Sequence, residues 1–496
     1  MAESAVLQAL ETRAPDSVVL VGRERSWTAT EVLAEAHGLA GRLAPGRVVG
    51  VLADNGPAWV VADLACQVAG AVHLPLPEFF NTGQLRHVLE QSGADTVITA
   101  HPERIGAIDL GFSVVGRWQG LHWMRRVTDP VVLPQGTAKI SFTSGSTGTP
   151  KGVCLGLAGL HDTAAALCER LGALPLQRHL AVLPLALLLE NVAGVYAPIL
   201  RGMQVHLLPQ SDMGWQGMSG FDPARLAAAI ERERADSVVL VPELLKAWVM
   251  FVGAAAGTAR HQPAFVAVGG ARVAPELLAA ARAAGIPACQ GYGLTEAGSV
   301  VALNIPGDDG EGVGRPLPHL DCRVEAGELH VRACAFLGYV GVAAGADGPG
   351  GDWFPTGDLA RFDAHGHLHL DGRCKNLLIT SYGRNISPEW VESALLAAPA
   401  ILQAVVCGDG EARLAAIVVP RPGAAAAEVR LAVQRVNRAL PEYARIGRLV
   451  LSEPFHPANG LATGNGRPRR AHILEKHSAA LAAAHHDHEV SHHVVL

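Results

Sequence analysis

Ile140-Ser-Phe-Thr-Ser-Gly-Ser-Thr-Gly-Thr-Pro-Lys-Gly-Val153 is the stretch on which the reading of this chain turns. An apolar entry leads into Thr143, Ser144, Gly145, Ser146, Thr147, Gly148, Thr149, Pro150, Lys151 and Gly152. Glycines let the backbone turn tightly, so that several N–H groups converge on one anion. The hydroxyls add donors, and Lys151 adds a point charge. The stretch reads as a phosphate cradle. It is not a Walker A loop, because GxxxxGK[ST] does not fit Gly145 or Gly148 with Lys151. A plain surface linker does not account for so dense a run of hydroxyls ending in Lys-Gly.

The surroundings of this stretch alternate strand-like and helix-like runs. Strands are expected at Val48–Ala53, Ala71–Leu74 and Thr96–Thr99, with a helix over Ala58–Ala69. The rhythm returns with a strand at Ala181–Leu183, a helix at Glu190–Leu200 and a strand at Gln204–Leu208. A helix at Pro223–Arg234 follows, then strands at Ser237–Val241 and Ala264–Val268, then a helix at Pro275–Ala284 leading to a strand near Ala288. Such βαβ alternation implies parallel sheets covered by helices, here two of them. After about Ile305 the texture changes to short strands at Cys322–Glu325, Glu328–Val331 and Leu368–Leu370 between Gly-rich turns, a small β unit. From about Arg373 the pattern is α+β. Strands are expected at Leu377–Thr380, Ala404–Gly408 and Ala415–Val419, and helices at Pro388–Leu396 and Ala424–Ala439. The fold class is therefore α/β: a large N-terminal domain with two mostly parallel, helix-flanked sheets and a small β-barrel-like subdomain, and a smaller α+β C-terminal domain. The expected division is 1–372, 373–480 and a low-complexity His-rich tail at 481–496.

Composition narrows the function. The chain has 496 residues and a formal charge of −6, with no block of like charge, which argues against nucleic-acid binding as the main task. Apolar residues make up 49 %, too many for a disordered chain. The eight cysteines are scattered and none forms a CxxC pair, so zinc spacing and a disulfide framework are absent and a reduced, cytoplasmic chain is expected. The N-terminus lacks the basic and apolar regions of a signal peptide. Asp63 and Gln67 interrupt the apolar run Trp59–Leu76, and Glu190 and Asn191 interrupt Leu180–Leu200, so both read as buried core and not as membrane spans.

Further motifs follow the first in order. They are Gly269-Gly270-Ala271, Gly291-Tyr-Gly-Leu-Thr-Glu-Ala-Gly298, Trp353-Phe-Pro-Thr-Gly-Asp-Leu359, and Gly372-Arg-Cys-Lys-Asn376 with Tyr382-Gly-Arg-Asn-Ile-Ser-Pro388. With TSGSTGTPKG they resemble, in order and spacing and over nearly the whole chain, the signatures of the adenylate-forming superfamily. That superfamily holds acyl- and aryl-CoA synthetases, peptide-synthetase adenylation domains and luciferases, and the wording here is nearest to fatty acyl-CoA synthetases.

The resemblance implies ATP-dependent activation of a fatty or aryl carboxylic acid to acyl-AMP, then transfer to CoA or to the phosphopantetheine of an acyl carrier protein. It implies that Thr143, Ser144, Gly145, Ser146, Thr147, Gly148 and Lys151 meet the phosphates. Tyr292, in Gly291-Tyr292-Gly293, would stack on adenine, which the Gly269-Gly270-Ala271 backbone approaches. Thr295 offers a hydroxyl to phosphate, and Glu296 is a hard oxygen ligand suited to Mg²⁺. Asp358 would accept from both ribose hydroxyls, assisted by Arg373. Lys375 falls at the hinge about which the C-terminal domain rotates between half-reactions. Gly383 would line a pantetheine channel. Standing alone, most of these pieces are ordinary turns, caps and solvated charges.

The sequence departs from the family at two places. The family's C-terminal lysine, which bridges the acid carboxylate and the α-phosphate, aligns with Arg467 in Asn459-Gly-Leu-Ala-Thr-Gly-Asn-Gly-Arg-Pro-Arg-Arg470. Arginine is also cationic, but its wider fork needs other clearance. Arg467 then does the same task less well, or adenylation is lost and the second half-reaction remains, or another residue serves. The competing class is a non-catalytic nucleotide or acyl-adenylate binder, and luciferase-like oxygenation shares the motifs without being singled out. At the second place, many acyl-CoA synthetases carry His where Leu187 stands, and Leu187, Leu188 and Leu189 read as core. Arg445, Arg448, Arg469 and Arg470 form a modest basic set on which an acidic carrier protein could dock.

Overall fold

The computed structural model describes residues 4–144, 150–216, 220–254, 261–308, 310, 312–332, 335–342, 353–382, 384–463 and 466–481. The stretch Gly145–Thr149, Gly383 and the His-rich tail beyond 481 lie outside the described residues, and the calls on Gly145, Ser146, Thr147, Gly148 and Gly383 with them.

Strand Val48–Leu52 is buried at every position, as a strand covered on both faces must be. It sits inside an eight-stranded sheet. Val72–Pro75 and Thr96–Thr99 flank it in parallel. The helix Pro57–Ala69 that connects Val48–Leu52 to Val72–Pro75 opens on Pro57 and closes on Gly70 in the left-handed region, φ 63°. Beyond Val72–Pro75 the sheet continues through Thr137–Ser144, Pro150–Gly156 and Phe336–Tyr339. The last two junctions are antiparallel.

The second sheet has nine strands. Its parallel centre runs Ala288–Tyr292, Phe265–Val268, Ser237–Leu240, Arg178–Leu180, Gln204–Leu207 and Val18–Gly22. The small β unit is a four-stranded antiparallel sheet of Asp321–Glu325, Glu328–Arg332, Phe354–Phe362 and Leu368–Arg373. The C-terminal domain packs helices Pro388–Ala397 and Ala426–Ala439 on a three-stranded sheet of Ile401–Cys407, Leu414–Pro420 and Ile446–Leu451.

Three details differ from the sequence reading. The strand expected at Ala181–Leu183 lies at Arg178–Leu180. Leu183 cannot extend the ladder, because its N–H donates to Glu190 Oε2 at 2.9 Å and Pro184 has no N–H to give. The helix over Glu190–Leu200 begins at Leu188 and contains a π-turn at Val192–Tyr196. That turn sends Asn191 and Tyr196 into a buried polar cluster: Lys139 Nζ donates to Asp63 Oδ2 at 2.9 Å and to Tyr196 Oη at 3.0 Å. Asp63, which seemed only to interrupt an apolar helix, thus joins helix Pro57–Ala69 to the strand that carries the 143–151 loop.

The third detail concerns the basic set. Arg448 is buried against Glu411 at 3.4 Å, and Arg470 Nη2 bonds Glu392 Oε1 at 2.7 Å. Arg445 donates to the carbonyls of Asn437 and Leu440 at the end of helix Ala426–Ala439. Two of the four charges, Arg448 and Arg470, are thus spent on internal carboxylates. Among the described residues none of the cysteines forms a disulfide, and no helix is long and apolar enough to cross a membrane.

Candidate active site

A cleft of about 2400 Å³ opens between the carboxyl ends of the second sheet's strands, the small β sheet and the C-terminal domain. Open α/β sheets place ligands at this strand end. Thr143, Gly269, Gly270, Ala271, Gly291, Tyr292, Gly293, Thr295, Glu296, Asp358, Arg373, Lys375 and Arg467 all line it.

Strands Thr137–Ser144 and Pro150–Gly156 are the arms of an antiparallel hairpin, in which Thr143 faces Lys151 and Ser144 faces Pro150. Gly152 keeps that hairpin tight, since a Cβ there would lie 2.8 Å from both the Phe142 ring and Val340. Strand Phe336–Tyr339 pairs along the hairpin's outer strand and brings Tyr339 to the rim. Lys151 Nζ lies 5.6 Å over the Tyr339 ring, and Tyr339 Oη donates to Glu296 Oε1 at 3.0 Å. Lys151 and Glu296 are therefore held on two sides of one tyrosine, which sequence reasoning passed over.

The Gly291–Gly298 turn is shaped by close approach. A Cβ on Gly293 would stand 1.6 Å from the Ser299 carbonyl oxygen. The chain turns through a single 3₁₀ turn, Thr295–Ala297, closed by Gly298 at φ 75°. Ser299 follows at φ 102°, a left-handed conformation rare for a residue with a side chain. Backbone strain of this kind gathers at ligand sites, and Ser299 is buried on the cleft wall.

Strands Phe354–Phe362 and Leu368–Arg373 place Asp358 opposite Arg373. The carboxylate is buried and fully engaged. Arg373 Nε lies 2.7 Å from Oδ1, and Tyr292 Oη donates to Oδ2 at 2.5 Å. Burial pushes the Asp358 carboxyl up, while Arg373 and Tyr292 pull it down. Burial, then the charge of Asp358, drives the Tyr292 phenol well above its ordinary value. Tyr292 thus orients Asp358 as well as presenting a ring to the cleft, a contact that spacing alone did not reveal.

Arg467 reaches across from the C-terminal domain. Its loop is pinned by Thr463, whose N–H donates to the Arg467 carbonyl at 2.8 Å and whose Oγ1 accepts from Arg467 N–H at 3.1 Å. Its guanidinium Nη2 donates to the Gly270 carbonyl at 3.1 Å, and Gly270 turns that carbonyl out at φ 83°. The side chain keeps contact with water, but protein crowds around it and lowers its pKa; Arg373 adds to the drop and Glu243 opposes it. Lys375 is exposed in a 3₁₀ turn, Cys374–Asn376, between the small sheet and the C-terminal domain.

Leu187 and Leu189 are half-buried and line the cleft, while Leu188 is buried against the core and also reaches the cleft wall. The three leucines are thus cavity wall as much as core, because the π-turn after them rotates the segment. With Ala193, Val239, Val241 and Leu244 they make an apolar chamber beside the Gly269-Gly270 turn, with Trp215 and Phe221 at one side. Beneath it His179, Ser237 and Glu190 satisfy one another at 3.0 Å and 2.9 Å.

Comparison with known families gives the class to which this fold and cleft belong. Residues 7–335 match the AMP-binding enzyme family and residues 375–489 its C-terminal domain, so the chain belongs to the AMP-binding, adenylate-forming family. A feruloyl-CoA synthase from Amycolatopsis sp is 30 % identical over 420 residues, spanning 78 % of this chain and 82 % of that protein. Among solved structures, an anthranilate CoA ligase in complex with anthranoyl-AMP superposes with a TM-score of 0.78 at 20 % identity, over 97 % of this chain and 98 % of the other. The o-succinylbenzoate coenzyme A synthetase of Bacillus subtilis in complex with ATP and a magnesium ion gives 0.72 at 22 % identity, over 95 % and 99 %.

Proposed function

We propose that the chain is an AMP-forming acid–thiol ligase that activates an apolar monocarboxylic acid, alkyl or aryl, with ATP and passes the acyl group to CoA. The observation that carries this reading is the cross-domain contact of Arg467 with the Gly270 carbonyl, which brings a cation to the mouth of the apolar chamber and beside the nucleotide motifs. The feruloyl-CoA synthase relative supports CoA as acceptor, and the internal engagement of Arg448 and Arg470 weighs against a carrier protein. The domain division falls at 372/373, with Lys375 in the hinge.

In the first half-reaction the acid's carboxylate oxygen bonds the α-phosphorus of ATP and the bond to pyrophosphate breaks, giving acyl-AMP. Asp358, preset by Tyr292 and Arg373, holds the ribose hydroxyls. Tyr292 presents its ring to adenine, beside the Gly269-Gly270-Ala271 backbone. Thr143 and Ser144, with Lys151 and the glycine-rich tip between them, hold the phosphates. Thr295 donates to the α-phosphate. Arg467 steadies carboxylate and α-phosphate together, and such fixed positive charge is the main lever in phosphoryl-type transfer. Glu296 fits Mg²⁺, which takes one or two carboxylates and fills its other positions with water and phosphate, and whose charge offsets that of the phosphates when bound. In the second half-reaction the C-terminal domain turns about Lys375, Arg467 withdraws, and a thiolate bonds the acyl carbon as AMP leaves.

ATP–pyrophosphate exchange with a panel of fatty and aryl acids tests this. Exchange with at least one apolar acid is expected. Tight ATP binding with no exchange for any acid would leave the non-catalytic binder, the reading that Arg467 itself keeps open.

A further inference from the structure

One half-buried cation has no place in the chemistry above. Lys246 lies on helix Pro242–Ala254 of the N-terminal domain. Its ammonium donates to the Leu396 carbonyl at 2.6 Å, and to the Ala398 and Ile401 carbonyls at 2.7 Å each. An ammonium has three protons to donate, so all three are spent, and all three bonds cross between the domains.

The acceptors explain why a lysine stands there. Leu396 and Ala398 belong to the last turn and cap of helix Pro388–Ala397. The final carbonyls of a helix lack partners within it and carry the negative end of its dipole. Ile401 opens the first strand of the C-terminal sheet. Ala397, between these acceptors, packs on the core of the second N-terminal sheet. Burial pulls Lys246 down to about 8, with Glu243 opposing and Arg421 adding to the drop. Three carbonyls that can only accept keep the ammonium protonated at neutral pH. Glu243, one turn earlier on the same helix, lines the cleft and also bears on Arg467. One helix end therefore meets two of the places where the C-terminal domain approaches the N-terminal one.

Building on the ligase reading, we propose that Lys246 is a positioning residue: a latch that grips the C-terminal end of helix Pro388–Ala397 and holds the C-terminal domain where Arg467 serves acyl-adenylate formation. Rotation for the thiol step breaks all three bonds together, because their acceptors move as one body. Lys246 touches neither nucleotide nor acid, and it favours one half-reaction at the expense of the other.

The test uses full-length Lys246→Met and, as a shorter neutral donor, Lys246→Gln. ATP–pyrophosphate exchange should fall about tenfold or more in Lys246→Met, the scale for losing hydrogen bonds from a charged donor. Lys246→Gln should fall between it and the wild type. Thioester formation from preformed acyl-AMP should be unchanged or faster, and small-angle X-ray scattering should show a larger radius of gyration. A fall in both half-reactions by the same factor, or unchanged exchange with unchanged scattering, overturns the latch. If the wild type exchanges pyrophosphate with no acid, the ligase reading fails, and scattering alone decides: expansion in either variant upholds the latch, and an identical profile overturns it.

Discussion

Replacing Lys139 with methionine removes the cation from the centre of the buried cluster that ties the two large sheets together. Lys139 and Asp63 have side chains only 2 % and 1 % exposed. Asp63 Oδ2 also accepts from Tyr196 Oη at 2.7 Å and from Asn191 Nδ2 at 2.9 Å, and His73 Nδ1 lies 2.8 Å from Oδ1. Burial alone would push the Asp63 carboxyl up; Lys139 first and His73 second outweigh it and hold the group far below the carboxylate range. Deleting one partner of such a pair costs about 3–5 kcal/mol, because the other charge stays buried. For a cooperative unit of this size that is roughly 5 °C in Tm. The double variant Asp63→Asn/Lys139→Met should lose less than either single one, since no charge is then stranded. The pH dependence has a definite sign. A carboxylate depressed in the folded state stabilises above its unfolded pKa, and that contribution is lost as pH falls below about 3.9. In Lys139→Met the stranded carboxyl accepts a proton more readily, so its deficit is greatest at neutral pH and shrinks on acidification. Thermal scans and inactivation half-lives across pH are the assay. A double variant that loses the sum of the singles, or a deficit that grows on acidification, would refute the reasoning.

Three further outcomes are expected at the site. Gly293→Ala sets a methyl 1.6 Å from the Ser299 carbonyl, so acyl-adenylate formation should be abolished in pyrophosphate exchange while far-ultraviolet dichroism stays native. Asp358→Asn keeps the shape but loses the charge on the ribose, and the KM for ATP should rise about tenfold or more; an unchanged KM would remove Asp358 from the nucleotide site. Leu187→Lys puts a cation in the apolar chamber. Its kcat/KM should fall for alkyl and aryl monocarboxylates and rise for acids with a distal second carboxylate; a uniform fall would mean Leu187 does not face the acid.

Much of the architecture could be read from sequence because its signals are local. Val48–Leu52 and Ser237–Leu240 are largely apolar runs bounded by turns, and each forms a buried strand paired in parallel on both sides. What escaped was long-range. Val18–Gly22 joins the sheet formed by strands some 160 residues and more downstream, beside Gln204–Leu207, and no local pattern encodes that partner. Asp63 looked like a flaw in an apolar helix, and its meaning depends on Lys139 and Asn191, which only the fold brings near. The site residues were legible as glycine-rich and charged motifs, but not how they are engaged. Tyr292 on Asp358 and Tyr339 on Glu296 are contacts between separate motifs. The strained Ser299 was hidden because a serine in a loop carries no sign of its φ. Lys246 reads as an ordinary helix lysine until the C-terminal domain is in place.

The role of Arg467 is tested most directly by measuring the two half-reactions separately in Arg467→Met and Arg467→Lys. If Arg467 supplies the charge for adenylation, pyrophosphate exchange in Arg467→Met should fall by about a hundredfold, the scale for removing one transition-state donor. Exchange in Arg467→Lys should exceed the wild type, and thioester formation from preformed acyl-AMP should be unchanged in both. Exchange that survives Arg467→Met, or that drops in Arg467→Lys to the level of the methionine variant, would contradict it.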